Sequence, residues 1–238
     1  MAEADWSDLT GSGALTDVNQ GVSTAFTPPV GGSSFVYGFH QTGTAAGVIG
    51  KYCNLANFAP MSGTKKGGRI TAAMKRYTAN LGYSPFIALA LGKDVNTTQA
   101  YILGLSNAST YHAVLKKGDL ASVLDESSGS ILWQETAART SVGNVAAAWV
   151  HLCLDVLVNP HGEVILNVGI NTGNVTTPTW TTMSGSPTLP YTDDSLGALT
   201  GSSPYLDQFY AIFGMQTDGV AGAMCLFDHL TVSRQIAP

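Results

Sequence analysis

Trp149-Val150-His151-Leu152-Cys153-Leu154-Asp155-Val156-Leu157-Val158, then Asn159-Pro160-His161-Gly162, then Glu163-Val164-Ile165-Leu166-Asn167-Val168-Gly169-Ile170, is the stretch that decides the fold. In its first run Val150, Leu152, Leu154, Val156 and Val158 alternate with Trp149, His151, Cys153, Asp155 and Leu157. A period of two sustained this long is the pattern of a strand with one face on a core. Proline second and glycine fourth in the next four residues make a tight turn. The second apolar run then returns, so a β-hairpin is predicted over 149–170.

Working outward, further strands are predicted at 34–40, 68–77, 84–92, 131–136, 209–216 and 223–234, with a second hairpin formed by 99–105 and 110–118 across 106–109. Each run is aromatic, β-branched or nearly all apolar, and each is bounded by Gly, Pro, Asn or Ser. Ten to twelve strands with few helices predict an all-β, two-sheet antiparallel jelly-roll sandwich. Helical turns are expected only at Trp6–Leu9, at Asn144–Ala148, and from Asp193-Asp194 through Ala198. Residues 1–33 are broken by Gly11, Gly13, Gly21, Pro28, Pro29, Gly31 and Gly32. They read as an extended N-terminal arm that packs on its own domain or attaches to a neighbour, the first preferred, ahead of a sandwich domain at 34–238. Residues 171–204 form a long Thr/Gly/Pro/Ser excursion, tucked down by Trp180 and Leu189. The sequence has no internal repeat and no sign of a second domain.

Charged residues make up only 11% of the 238, and Gly contributes 27. Such a composition suits short strands and turns and is poor for surface helices, which favour Glu, Lys and Arg. The net charge of −5 argues against a nucleic-acid partner, which needs a basic face. The one basic cluster, Lys65, Lys66 and Arg69, is read as a solvated Gly-rich loop. The acidic, polar start Met1-Ala2-Glu3-Ala4-Asp5-Trp6 is not a secretory signal, and no apolar run approaches the ~18 residues of a membrane helix. The expectation is a chain made in the cytoplasm with no membrane partner. The low surface charge suggests a surface partly covered in an assembly.

Cys53, Cys153 and Cys225 are odd in number and lack a CxxC spacing, so they define neither a disulfide framework nor a zinc motif. His151 and Cys153 share a strand face, but Cys153 reads as a packed residue. His151 and Asp155 lie about 13 Å apart along a strand, too far to touch. Glycoside hydrolysis needs two carboxylates on one face. Glu163, Glu135 and the adjacent Asp125-Glu126 do not supply that spacing. No G-x-S-x-G, P-loop or H-E-x-x-H motif is present. Asp193-Asp194 and Asp94 with Asn96 are the only local calcium candidates. Trp133, Trp180, Tyr111, Tyr191 and Tyr205 are aromatic residues in or near loops, each read first as a packing residue. No catalytic, cofactor-binding or metal-binding residue is assigned, and the chain is expected to be neither an enzyme nor a cofactor carrier.

The order of pieces resembles concanavalin A-like and laminin G-like jelly rolls. The resemblance rests on the Trp149-led hairpin, on Tyr101-Ile102-Leu103-Gly104-Leu105 with Val114-Leu115-Lys116-Lys117-Gly118, and on the closing Phe227-Asp228-His229-Leu230-Thr231-Val232. It covers about residues 34–236. Asp5-Trp6-Ser7-Asp8-Leu9-Thr10, Thr27-Pro28-Pro29 with Gly31–Phe39, and Asn57-Phe58-Ala59-Pro60-Met61 resemble proteins of tailed bacteriophages and prophages. That resemblance implies a non-enzymatic virion accessory protein, foremost a capsid decoration protein. It would be assembled in the host cytoplasm and held by contacts with major capsid or tail proteins and with its own copies. The alternative it implies is a tail or baseplate adhesion module that binds host surface glycan.

Overall fold

A computed structural model describes residues 6–9, 16–20, 28–32, 36–41, 43–44, 46–55, 67–77, 82–95, 98–108, 110–120, 131–140, 148–194 and 210–234. In chain order the strands are β1 (Ser7–Asp8), β2 (Thr16–Gln20), β3 (Val36–His40), β4 (Gly47–Asn54), β5 (Gly67–Arg76), β6 (Tyr83–Ala90), β7 (Gln99–Leu105), β8 (Thr110–Tyr111), β9 (Ala113–Asp119), β10 (Ile131–Glu135), β11 (Arg139–Thr140), β12 (Val150–Val158), β13 (Val164–Asn171), β14 (Thr181–Thr182), β15 (Gly185–Ser186), β16 (Tyr191–Asp193), β17 (Tyr210–Thr217) and β18 (Met224–Arg234). The first sheet has the order β1-β4-β17-β6-β7-β9-β10-β15. The second runs β14-β13-β12-β5-β18-β3-β2, with β16 also on β13, and β8 and β11 form a separate short pair. Pairing is antiparallel throughout both sheets, as expected of the sandwich.

The predicted hairpin is β12 and β13, paired from His151↔Asn171 to Val158↔Val164. Its turn closes with Gly162 N–H donating to Asn159 O, and the Asn159 side chain accepts from His161 and Glu163 N–H at 2.9 and 3.0 Å. Val150, Leu152, Leu154 and Val156 are buried in one core with Ile87, Leu89, Leu103 and Leu115 of the first sheet. Phe39, Phe213 and Phe227 tie the two sheets together, with ring centroids 5.3 to 5.8 Å apart. Burying such a ring contributes about 1.5–3 kcal/mol.

Several expectations change. Trp6–Leu9 is not a helical turn: Ser7 and Asp8 pair with Tyr52 and Lys51 as β1. Trp6 stands edge-on to Phe213 at 4.9 Å, and Leu9 is buried. The stretch read as an arm thus gives β1 to one sheet and β2 to the other. Asp193 does not begin a helix; it ends β16 and is buried against Lys117 at 2.8 Å. Asn144 to Ala147 and Ser195 to Ala198 lie outside the described residues. β4 was not read from the sequence, because Gly47, Gly50, Lys51 and Asn54 break its pattern. Gly50 faces Gly214 across the β4–β17 pair, and a Cβ on Gly50 would lie 2.8 Å from Leu9 Cδ1. The glycines let Leu9 lie close against the outer side of the first sheet. Pro85 sits just past Phe86↔Gly104, the end of the β6–β7 pairing, where a missing N–H breaks no bond to β7.

The described part of the 171–204 excursion, residues 171–194, straddles both sheets. β14 and β16 pair with β13 in the second sheet, and β15 pairs with β10 in the first. Leu189 is buried in the core, as expected of an anchor.

Candidate functional site

The register of four strands builds a polar surface on the outer face of the second sheet. With Val150, Leu152 and Leu154 turned inward, His151, Cys153 and Asp155 face out. One row across the sheet is Asn167, Asp155, Arg69 and Ser233. The next is Gly169, Cys153, Thr71 and Thr231, and the third is Asn171, His151, Ala73 and Asp228. The indole of Trp180 lies over this surface, within 3.5 Å of where a Cβ on Gly169 would stand. It is half-buried, edge-on to the His151 ring at 4.6 Å.

Each charged group on this face has a visible cause for its state. Arg69 donates twice to Asp155, at 2.6 and 2.8 Å, and the hydrogen-bonded carboxylate raises the guanidinium's pKa. Arg69 is therefore a strand residue in an ion pair, not part of a solvated loop; Lys65 and Lys66 lie outside the described residues. Thr71 and Thr231 share a hydrogen bond of 2.6 Å. Asn171 Oδ1 accepts from Gly173 and Thr179 N–H, which fixes the amide's orientation. Its Nδ2 then donates to His151 Nδ1 at 3.0 Å. An amide nitrogen only donates, so the imidazole proton sits on Nε2. That Nε2 is buried and without a hydrogen-bond partner among the described residues. Burial, with His229 nearby, depresses the His151 pKa to about 4.

Beside His151 opens a groove of about 340 Å³ lined by Pro28-Pro29-Val30, by Ile170–Gly173 and Val175, and by Trp149 and Arg139. Val175 N–H donates to Val30 O at 2.9 Å, joining two of these segments. Val30 stands 75% exposed at the rim. Gly31 has φ 78°, and a Cβ there would fall 2.0 Å from Asn174 Oδ1, so a side chain at this position would disrupt the wall.

The candidates raised from sequence fall into place. Cys153 does lie beside His151, but burial and the Asp155 carboxylate push its thiol up to about 12, so the thiolate needed for nucleophilic attack is suppressed. Asp155 belongs to Arg69 rather than to His151. Asp193 is taken by Lys117 and by the Tyr101 hydroxyl, which donates to it at 2.5 Å. Asp94 lines a shallow depression of about 310 Å³ with Lys93, Thr98 and Gln99; Asn96 lies outside the described residues. No cluster of three or more His, Cys, Asp or Glu that could hold a metal occurs among the described residues. Trp133 and Tyr111 are core residues, Tyr191 is half-buried against the core, and Tyr205 lies outside the described residues. Among the four that are described, Trp180 is the one that stands on the outer face beside His151. Sequence reasoning missed His229, whose ring stands 5.9 Å from His151.

No protein-family model matches the chain, and neither does any curated protein. Solved structures do match. "Cellulose induced protein, Cip1" aligns over 98% of this chain and 93% of its own, with 11% identity and a TM-score of 0.53. A protein of unknown function from Shewanella oneidensis MR-1 aligns over 100% and 83%, at 10% identity and 0.46. A legume lectin-like domain from Entamoeba histolytica aligns over 99% and 91%, at 8% identity and 0.45. The chain has the concanavalin A-like jelly-roll fold.

The expectation that the chain is not an enzyme is corrected by the same comparisons. An endo-β-1,4-glucuronan lyase from Trichoderma reesei aligns over 97% of this chain and 94% of its own, at 11% identity and a TM-score of 0.41, and an alginate lyase from Alteromonas sp. 272 aligns over 98% and 96%, at 10% identity and 0.37. The carboxylate pair missing here is a requirement of glycoside hydrolysis. Its absence speaks to that chemistry alone.

Proposed function

We propose that the chain binds carbohydrate on the outer face of its second sheet. The observation that carries this reading is Trp180, a half-buried indole set over rows of hydrogen-bonding side chains on a rigid sheet. Sugar recognition combines an aromatic face that takes the apolar side of a pyranose with nearby donors and acceptors for its hydroxyls. Asn167, Arg69, Ser233 and Thr231 supply those groups, and the groove by Trp149 gives room for a chain to continue. Calorimetric titration with neutral and uronic-acid oligosaccharides tests the reading. Trp180→Ala is expected to weaken binding at least tenfold, about 1.4 kcal/mol, with the fold intact. No binding of any oligosaccharide at millimolar concentration would sink the proposal.

A second reading concerns where this surface works. The resemblance of residues 5–10, 27–39 and 57–61 to tailed-phage proteins favours a virion component, and the 11% charge content fits a surface partly covered by neighbours. On that reading the sandwich contacts capsid or tail proteins and presents its polar face to host glycan. Mass spectrometry of density-purified particles would find the chain, and gold-labelled antibody would place it on head or tail. Particles that lack the chain would end this reading and leave the first standing.

A further inference from the structure

Strand β18 carries an irregularity in the middle of the second sheet. Asp228 pairs with Ala73 and Thr231 pairs with Thr71, so His229 and Leu230 together stand opposite the single residue Ala72. This is a β-bulge. Its effect follows from the alternation on either side. Phe227 points into the core and Asp228 points out, so an unbroken strand would send His229 inward. The extra residue gives the inward place to Leu230, which packs against the core. His229 comes to the outer face, its ring edge-on to His151.

The backbone shows the strain of this arrangement. His229 has φ 48°, and no other non-glycine residue among those described has a positive φ. Glycine is the usual occupant of such a bulge position, because any Cβ is crowded there. The His229 N–H donates to Asp228 Oδ1 at 2.6 Å, which holds the conformation locally. Backbone strain of this kind persists where the surrounding structure enforces it, and it clusters at working sites.

We infer that the bulge exists to present His229, and that its imidazole is a ligand-contacting, specificity-determining group of the carbohydrate site. This rests on the reading of the outer face given above. Trp180 and His229 flank the ring of His151, which is anchored from below by Asn171. His151 is buried and already bonded; His229 is half-exposed. Both rings border the same imidazole, so a sugar stacked on Trp180 and reaching across His151 would meet the His229 ring.

The test is His229→Gly, with His229→Asn beside it, read by thermal melting and by titration with the same oligosaccharides. Glycine relieves the strain and removes the contact. The expected result is a melting temperature equal to or above that of the parent, with affinity down at least tenfold. His229→Asn, which also tolerates this conformation, is expected to keep the melting temperature and recover part of the affinity. A His229→Gly variant that melts several degrees lower would mark a structural role and overturn the inference. So would unchanged affinity in that variant. If the parent binds no oligosaccharide, the carbohydrate reading fails first and the role of His229 falls with it. If the parent binds and only the His229 variants are silent in effect, the carbohydrate reading stands alone.

Discussion

His151 shows how one residue's environment becomes a property of the whole chain. Its Nδ1 is held by Asn171, its ring is enclosed by Trp180 and His229, and its pKa falls from 6.5 to about 4. Above pH 6.5 the imidazole is neutral both folded and unfolded, and it contributes nothing to the pH dependence. As pH drops toward 4 the unfolded chain takes up a proton that the folded chain refuses. Stability therefore falls by about 3 kcal/mol across that window and then levels off. His151→Gln is expected to flatten this part of the profile when urea midpoints are measured from pH 7 to pH 4. Equal slopes in parent and variant would show that the acid sensitivity arises elsewhere. Cys153, next on the same face, is kept inert by the same burial, so alkylating reagents have no thiolate to reach at neutral pH.

The β12–β13 hairpin is the element most completely written in the sequence. Its inward positions are all apolar and its turn carries the residues that the geometry needs. Gly162 adopts φ 81°, so Gly162→Ala is expected to cost about 1–2 kcal/mol in denaturant unfolding without altering the sheet. An unchanged midpoint would mean that the turn relaxes to another form. β4 was hidden because its glycines serve close approach to β17 rather than a strand pattern. The site was legible only in part. Alternation places His151, Cys153 and Asp155 outward, but the Arg69–Asp155 pair depends on a neighbour 86 residues away. Trp180 sits in a Thr- and Pro-rich stretch with no periodicity to place it. The bulge at His229 leaves no mark in Phe227-Asp228-His229-Leu230-Thr231, because the shift of one residue is decided by what β5 presents opposite.

At the scale of the molecule, the two sheets are joined by charge as well as by the aromatic core. Lys117 on β9 and Asp193 on β16 form an ion pair with both side chains buried, and Tyr101 on β7 donates to the same carboxylate. Asp193 also lies in the excursion that carries Trp180, so the clamp and the candidate site share one segment. Lys117→Ala is expected to lower stability by about 3–5 kcal/mol, because it leaves a buried carboxylate without its cation. Lys117→Ala combined with Asp193→Ala should recover part of that loss, and a double variant no better than the single one would count against the clamp. The order of strands has a consequence for how the protein folds. β17 lies between β4 and β6 in one sheet, and β18 lies between β5 and β3 in the other. Each therefore joins strands that come well before it in the chain. Until they dock, each sheet has an empty lane at its centre with two unpaired strand edges facing it. Both sheets close only through pairings between distant parts of the chain, so folding is expected to be slow, as in other β-sandwiches dominated by non-local contacts.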